Sequence, residues 1–178
     1  MFRNVMISAT LAFPTALWAA GSDSTSPPAT TNTTTTCDNG QVWDEKTQTC
    51  VNPQDSRLND DQRYDAVREL AYAGRLDAAA AVLATMADQG SDRVLTYRGF
   101  IARKSGDMDT AMREYLAALA VNPDNLLVRS YMGQGLIEMG QIAAAQDQLN
   151  EILARGGTGS WAEASLRTAI ETGHVFRY

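Results

Sequence analysis

The chain has 178 residues, a formal net charge of −6, 27 alanines, two cysteines and one histidine, so one small folded unit is the ceiling. Structural zinc sites and His-dependent catalytic triads lack raw material, because each needs several Cys or His side chains at ligand or proton-transfer spacing, and no metal or other cofactor is expected. An acidic balance with pI near 4.7 argues against a nucleic-acid partner, whose phosphates call for clustered Lys and Arg.

Residues 1–21 come first. Arg3 is the one charge ahead of an apolar-biased run over residues 5–18, broken by Pro14 and followed by Ala19, Ala20, Gly21 and Ser22. That is the layout of a secretory signal peptide, and the run is shorter than the ~20 residues that span a bilayer. Cleavage after Gly21 places Ala19 and Gly21 at the two small-residue positions; cleavage after Ala19 is the competitor. No permanent membrane span is expected, and no cysteine follows the run to mark a lipoprotein. Residues 22–36 contain seven Thr, three Ser and two Pro and no large apolar side chain, so nothing offsets the entropy of ordering and a disordered linker is expected.

Cys37 and Cys50 then frame the sequence CDNGQVWDEKTQTC. In an oxidising compartment, two cysteines in one short segment most simply pair with each other, closing a loop over residues 37–53. In the chain-entropy model such a ring is worth about 3 kcal/mol. Asn39-Gly40 is a turn signal, Gln41-Val42-Trp43 a short strand, and Trp43 is expected to pack over the disulfide. The loop resembles the short C-x-x-G-x-x-W-D…C loops of exported bacterial proteins and, less closely, chitin-binding Cys loops. Two roles follow from that likeness, a structural staple or a glycan-binding element.

From residue 60 the composition turns to Ala, Leu, Met and Glu with glycines at near-regular intervals, the sign of internal repeats. Gly74, Gly106 and Gly140 are 32 and 34 residues apart. Five residues after each stands an alanine, Ala79, Ala111 or Ala145; nine after, Leu83, Tyr115 or Leu149; twelve after, Met86, Ala118 or Ile152. A helix–turn–helix pair accounts for these offsets. The glycine ends one helix in a left-handed conformation, and the alanine lets two helices cross closely. The bulkier residue one turn on fills the space beside it. Residues 158–178 read as one more amphipathic helix and a tail, with Ala162, Leu166, Ala169 and Ile170 on one face and Trp161 flanking it. Val175, Phe176 and Tyr178 are expected to pack back on that helix.

The segment LTYRGFIARKSGDMDTAMREYLAALAVNP resembles the tetratricopeptide repeat at Gly99, Gly106, Ala111, Tyr115, Ala118 and Pro123. Gly133, Gly140, Ala145, Leu149 and Ile152 carry the resemblance into a further copy, and residues 60–91 form a weaker first one. The resemblance implies an all-α fold: a short right-handed helical-repeat solenoid with units at 60–91, 92–125 and 126–157, closed by a capping helix. It implies a non-catalytic scaffold whose concave groove binds a protein or peptide. At the family's groove positions stand Tyr64, Arg68, Tyr72, Arg93, Phe100, Arg103, Lys104 and Gln134, together with Asp61, Ala71, Thr96, Leu127, Ser130, Ile137 and Glu138. Arg68, Arg93, Arg103 and Lys104 would favour an acidic peptide and the aromatic rings would anchor it. The Lys/Asn/Arg clamp that some members close on a C-terminal carboxylate is not matched, since Tyr64, Arg68, Tyr97, Leu127 and Tyr131 occupy its sites.

Catalysis is not expected. The acidic pairs Asp107/Asp109 and Asp65/Glu69 sit at a helix start or at helical spacing beside arginines, where capping and surface pairing account for them. The reading is of an exported adaptor, in the periplasm of a Gram-negative bacterium or secreted from it. The alternative is an envelope module whose Cys loop binds glycan or peptidoglycan while the repeats recruit an assembly factor.

Overall fold

A computed structural model of the chain describes residues 27–38 and 40–175. The expected signal peptide, Phe176 and Tyr178 lie outside the described residues. The order is α1 (Asn32–Thr35), β1 (Val42–Asp44), β2 (Thr49–Val51), α2 (Asp60–Tyr72), α3 (Leu76–Leu83), α4 (Asp92–Lys104), α5 (Met108–Val121), α6 (Leu126–Glu138), α7 (Ile142–Ala154) and α8 (Trp161–Thr172). No helix among the described residues is long and apolar enough to cross a membrane.

Each helix from α2 onward starts and stops for local reasons. Asn59 and Gln62 form a reciprocal capping box on α2, and Ser91, Asp107, Asn125 and Ser160 accept N-terminal amides of α4, α5, α6 and α8. Asp107 is thus a cap, as its place in the sequence predicts. The repeat glycines end the first helix of each pair with positive φ: 73° at Gly74, 87° at Gly106 and 75° at Gly140. Behind each, two amides turn back on the last turn of the helix. At Gly74 these are Gly74 N–H to the Ala71 carbonyl at 3.1 Å and Arg75 N–H to that of Leu70 at 2.9 Å.

Helices α2/α3, α4/α5 and α6/α7 pack as antiparallel pairs, and α2, α4, α6 and α8 stack in one continuous layer. This is the predicted helical-repeat solenoid. Ala79, Ala111 and Ala145 are fully buried, and so are the residues four and seven positions beyond each. A Cβ at Gly99 would lie 2.5 Å from ring atoms of Tyr115, so glycine is what lets α4 lie against α5. Gly133 makes its close approach to Leu166 of α8, which packs directly on α6. Ala162, Leu166 and Ala169 are buried and Ile170 is half-buried, while Arg167, Thr168 and Glu171 face solvent. The last helix therefore covers the apolar end of the stack and turns a polar face outward. Val175 packs against the same cluster.

Ahead of the repeats, Cys37 and Cys50 form a disulfide with Cα atoms 5.5 Å apart. β1 and β2 pair antiparallel, Val42 opposite Val51 and Trp43 opposite Cys50. The Asp44 carboxylate closes the connecting turn by accepting the Lys46 amide at 3.1 Å and the Thr47 hydroxyl at 2.6 Å. Val42, Val51 and Leu58 belong to the same apolar cluster as Ala66, Leu70, Ala79 and Leu83, so the hairpin is part of the first repeat's core.

Residues 31–36, within the linker expected over residues 22–36, make a specific set of contacts. Thr31 caps the single turn α1, and the Glu69 carboxylate accepts the Thr31 amide and hydroxyl, each at 2.6 Å, the Thr34 amide at 3.2 Å and the Thr34 hydroxyl. Arg75 donates to the Thr34 and Cys37 carbonyls. Apolar burial is scarce here; four donors on one carboxylate, next to a covalent tie at Cys37, offset the ordering cost instead. The same contacts correct the surface-pairing account of Glu69, which is buried.

Candidate functional site

The groove positions implied by the repeat resemblance fall on α2, α4 and α6, and the structure brings most of them into one assembly of rings and cations. Tyr64 meets Tyr97 edge-on at 5.6 Å, Tyr72 stacks on Phe100 at 5.7 Å, and Phe100 lies 4.8 Å from Tyr131. Offset and edge-on geometries of this kind align each ring's positive edge with its neighbour's negative face. Guanidinium carbons of Arg93 and Arg68 stand 4.8 and 5.8 Å from the Tyr64 centroid. Arg103 and Lys104 stand 5.5 and 5.8 Å from that of Phe100. All four predicted cations therefore lie within cation–π range of a predicted aromatic.

The floor of this assembly is hydrogen-bonded. The Tyr72 and Tyr131 hydroxyls are 2.7 Å apart, those of Tyr97 and Tyr131 are 3.3 Å apart, and the Trp161 indole N–H donates to the Tyr72 hydroxyl at 3.1 Å. Burial holds the Tyr97 phenol well above its ordinary range, with Tyr64 and Tyr72 adding to the shift. The Tyr97 phenol therefore stays neutral at physiological pH.

Accessibility differs from the expectation of an open binding groove. Tyr64, Tyr72, Phe100, Arg103 and Gln134 are buried, and the Arg103 side chain is 0% exposed in an ion pair with Glu138 at 2.8 Å. Arg68 retains 12% side-chain exposure and Arg93 31%, the latter paired with Asp61 at 2.7 Å. Lys104 is half-buried. The anchors form a floor, because α2, α4 and α6 stack closely enough for long aromatic side chains to reach across neighbouring helices. A depression of about 330 Å³, bounded by Asp61, Tyr64, Asp65 and Arg93, opens beside them. Its two carboxylates adjoin the cations, so the local charge is mixed rather than purely positive.

Gln134 stands apart from the ladder. Its amide donates to the Ser130 hydroxyl at 3.4 Å, and that hydroxyl is 2.9 Å from Ser165, which makes it part of a buried polar link between α6 and α8. Three participants were not among the predicted site residues: Tyr97, Tyr131 and Trp161. The repeat period carries a signal for each. Tyr131 follows Tyr97 by 34 residues, and Trp161 follows the groove position Leu127 by 34.

Among the described residues no group of three or more His, Cys, Asp or Glu is placed to hold a metal ion. The layered helix pairs, with inward-facing side chains held at fixed spacing, define a helical-repeat module. Residues 102–167, from the end of α4 into α8, match the tetratricopeptide repeat family. Repeats of this family typically serve as non-catalytic scaffolds for protein–protein contacts. No curated protein and no solved structure matches the chain.

Proposed function

We propose that this protein is a non-catalytic adaptor of the bacterial envelope that binds an acidic segment of a protein partner across the inner helix layer. The observation that carries the reading is the placing of Arg68, Arg93 and Lys104, which keep solvent contact, over the rings of Tyr64 and Phe100. A cation held in place over a buried ring offers an acidic side chain a charge partner at a fixed position, and arginines are prominent in the energetics of peptide recognition. Gln134 belongs to the same inner layer and is proposed to act by fixing α6 against α8. Export rests on the layout of residues 1–21 and accords with a disulfide between the only two cysteines of the chain.

Titration of the purified chain with a fluorescent Glu-rich peptide and its Lys-rich counterpart tests the proposal. The Glu-rich peptide binds more tightly, and Arg93→Glu with Lys104→Glu weakens it by about 10-fold or more, since both sites retain solvent contact and tolerate reversal without a buried charge. Equal binding of the two peptides, or no effect of the double reversal in a variant of unchanged helicity, overturns it. The glycan-binding alternative has no observation of its own to favour it, because the Cys loop is engaged with the first repeat.

A further inference from the structure

We propose that residues 31–58 form a detachable cap on the amino-terminal end of the repeat stack, and that the Cys37–Cys50 disulfide is its thiol-sensitive latch. A helical-repeat array must cover both apolar ends. α8 covers one. At the other, Val42, Val51 and Leu58 complete the cluster that contains Ala66, Leu70, Ala79 and Leu83, and a Cβ at Gly40 would lie 3.4 Å from Ala78.

The cap has little structure of its own: a four-residue helical turn and two three-residue strands, elements that are marginal in water without support. Polar contacts hold it in two places: beyond β2 Arg63 donates to the Pro53 and Asp55 carbonyls, and the second grip is at the amino-terminal end. Glu69 holds Thr31 and Thr34, and Arg75 holds the Thr34 and Cys37 carbonyls. The disulfide connects that gripped end to β2, which runs on through residues 52–59 into α2. With the bond intact, the cap is tied to the first repeat at both ends of the hairpin; with it cut, only the β2 end leads directly into a helix. Opening a ring of this size shifts the closing equilibrium by about 100-fold toward the open cap. The repeats have no such dependence, since no cysteine lies beyond Cys50.

The chemistry is thiol–disulfide exchange with a dithiol reductant. One thiolate of the reductant attacks a sulfur of the bridge and forms a mixed disulfide, and the second thiol then displaces the remaining cysteine. Cys37 and Cys50 end as thiols, having gained the two electrons and two protons that the reductant gives up as it becomes a disulfide. Cys50 is the less buried residue of the pair and the side from which attack comes. Opening uncovers the apolar edge of α2 and α3, changing the surface that the solenoid presents.

Hydrogen exchange on the full-length chain, oxidised and then treated with dithiothreitol, reads this out. Amides of residues 31–37 and 42–51 exchange about 100-fold faster after reduction, amides of α4 to α8 keep their protection, and reoxidation restores the first set. The Cys37→Ser, Cys50→Ser double variant reproduces the reduced pattern without reductant. Unchanged protection over residues 42–51 on reduction overturns the proposal, and so does loss of protection in α4 to α8 in the same step, because the whole array rather than a cap would then have yielded.

Discussion

At Gly99 a methyl group would sit 2.5 Å from two carbons of the Tyr115 ring and 3.2 Å from the Ala111 carbonyl oxygen. The ring is fully buried and has nowhere to retreat. Gly99→Ala is therefore expected to destabilise the fold by about 1–3 kcal/mol despite the gain in helix propensity, read as a lower urea midpoint at unchanged slope. A stabilised variant would show that α4 and α5 can separate at no cost. Tyr72 makes the complementary case. Its hydroxyl meets both the Tyr131 hydroxyl and the Trp161 indole N–H, so Tyr72→Phe loses two contacts and is expected to cost about 1–2 kcal/mol by the same measurement. The predicted site residues follow the same physics. The family offsets imply which side chains turn toward the inner layer, and in the structure Tyr64, Tyr72 and Phe100 are buried among the stacked helices. The offsets carry no information about how far a neighbouring helix covers that layer, and so an expected set of open anchors became a buried ladder.

Among the elements, the helix pairs were the most legible. Their signals are short-range: a cap residue before α2, α4, α5 and α6, a glycine that tolerates positive φ after α2, α4 and α6, and alanines at the crossing. Residues 31–36 were read as disordered because the gain there comes from a carboxylate 35 to 38 positions away in the chain, on α2. Composition has no means of registering it. The Glu69→Gln substitution tests that account. An amide is a weaker acceptor than a carboxylate and offers one oxygen where four donors converge, so α1 should detach at a cost of about 1–3 kcal/mol in local protection. Hydrogen exchange would show faster amides over residues 31–36 with α4 to α8 unaffected. If α1 kept its protection, the four bonds to Glu69 would be incidental to its order.

For the whole molecule the informative variable is pH. Burial raises the Tyr97 phenol and pushes that of Tyr115 up to about 12. A group with a raised folded-state value contributes stability that is intact below its unfolded value, about 10 for tyrosine, and that is lost as pH rises through the folded value. Alkaline titration should therefore leave a fraction of the tyrosines unionised past pH ~10, and these should ionise together with loss of helical circular dichroism. Smooth ionisation of every tyrosine near its ordinary value, with helicity retained, would contradict the burial of the ring ladder. On the acid side the sign reverses. The Thr47 hydroxyl lowers Asp44 and the Thr110 amide lowers Asp107, so their contributions are present above the ordinary carboxylate range and fade as pH falls below it.

The repeat period, the helix boundaries, the pairing of the two cysteines and the inward face of each helix were all readable in the linear chain, because each depends on residues within one or two turns or on a fixed spacing. The burial of the cation–aromatic ladder, the seating of a Thr-rich turn on Glu69 and the reach of Trp161 to Tyr72 depend on side chains brought together from 28 to 89 positions apart. Contacts at that separation exist only once the helices have stacked. The fold class was thus a local property of the sequence, while the character of its inner surface is a property of the packed array.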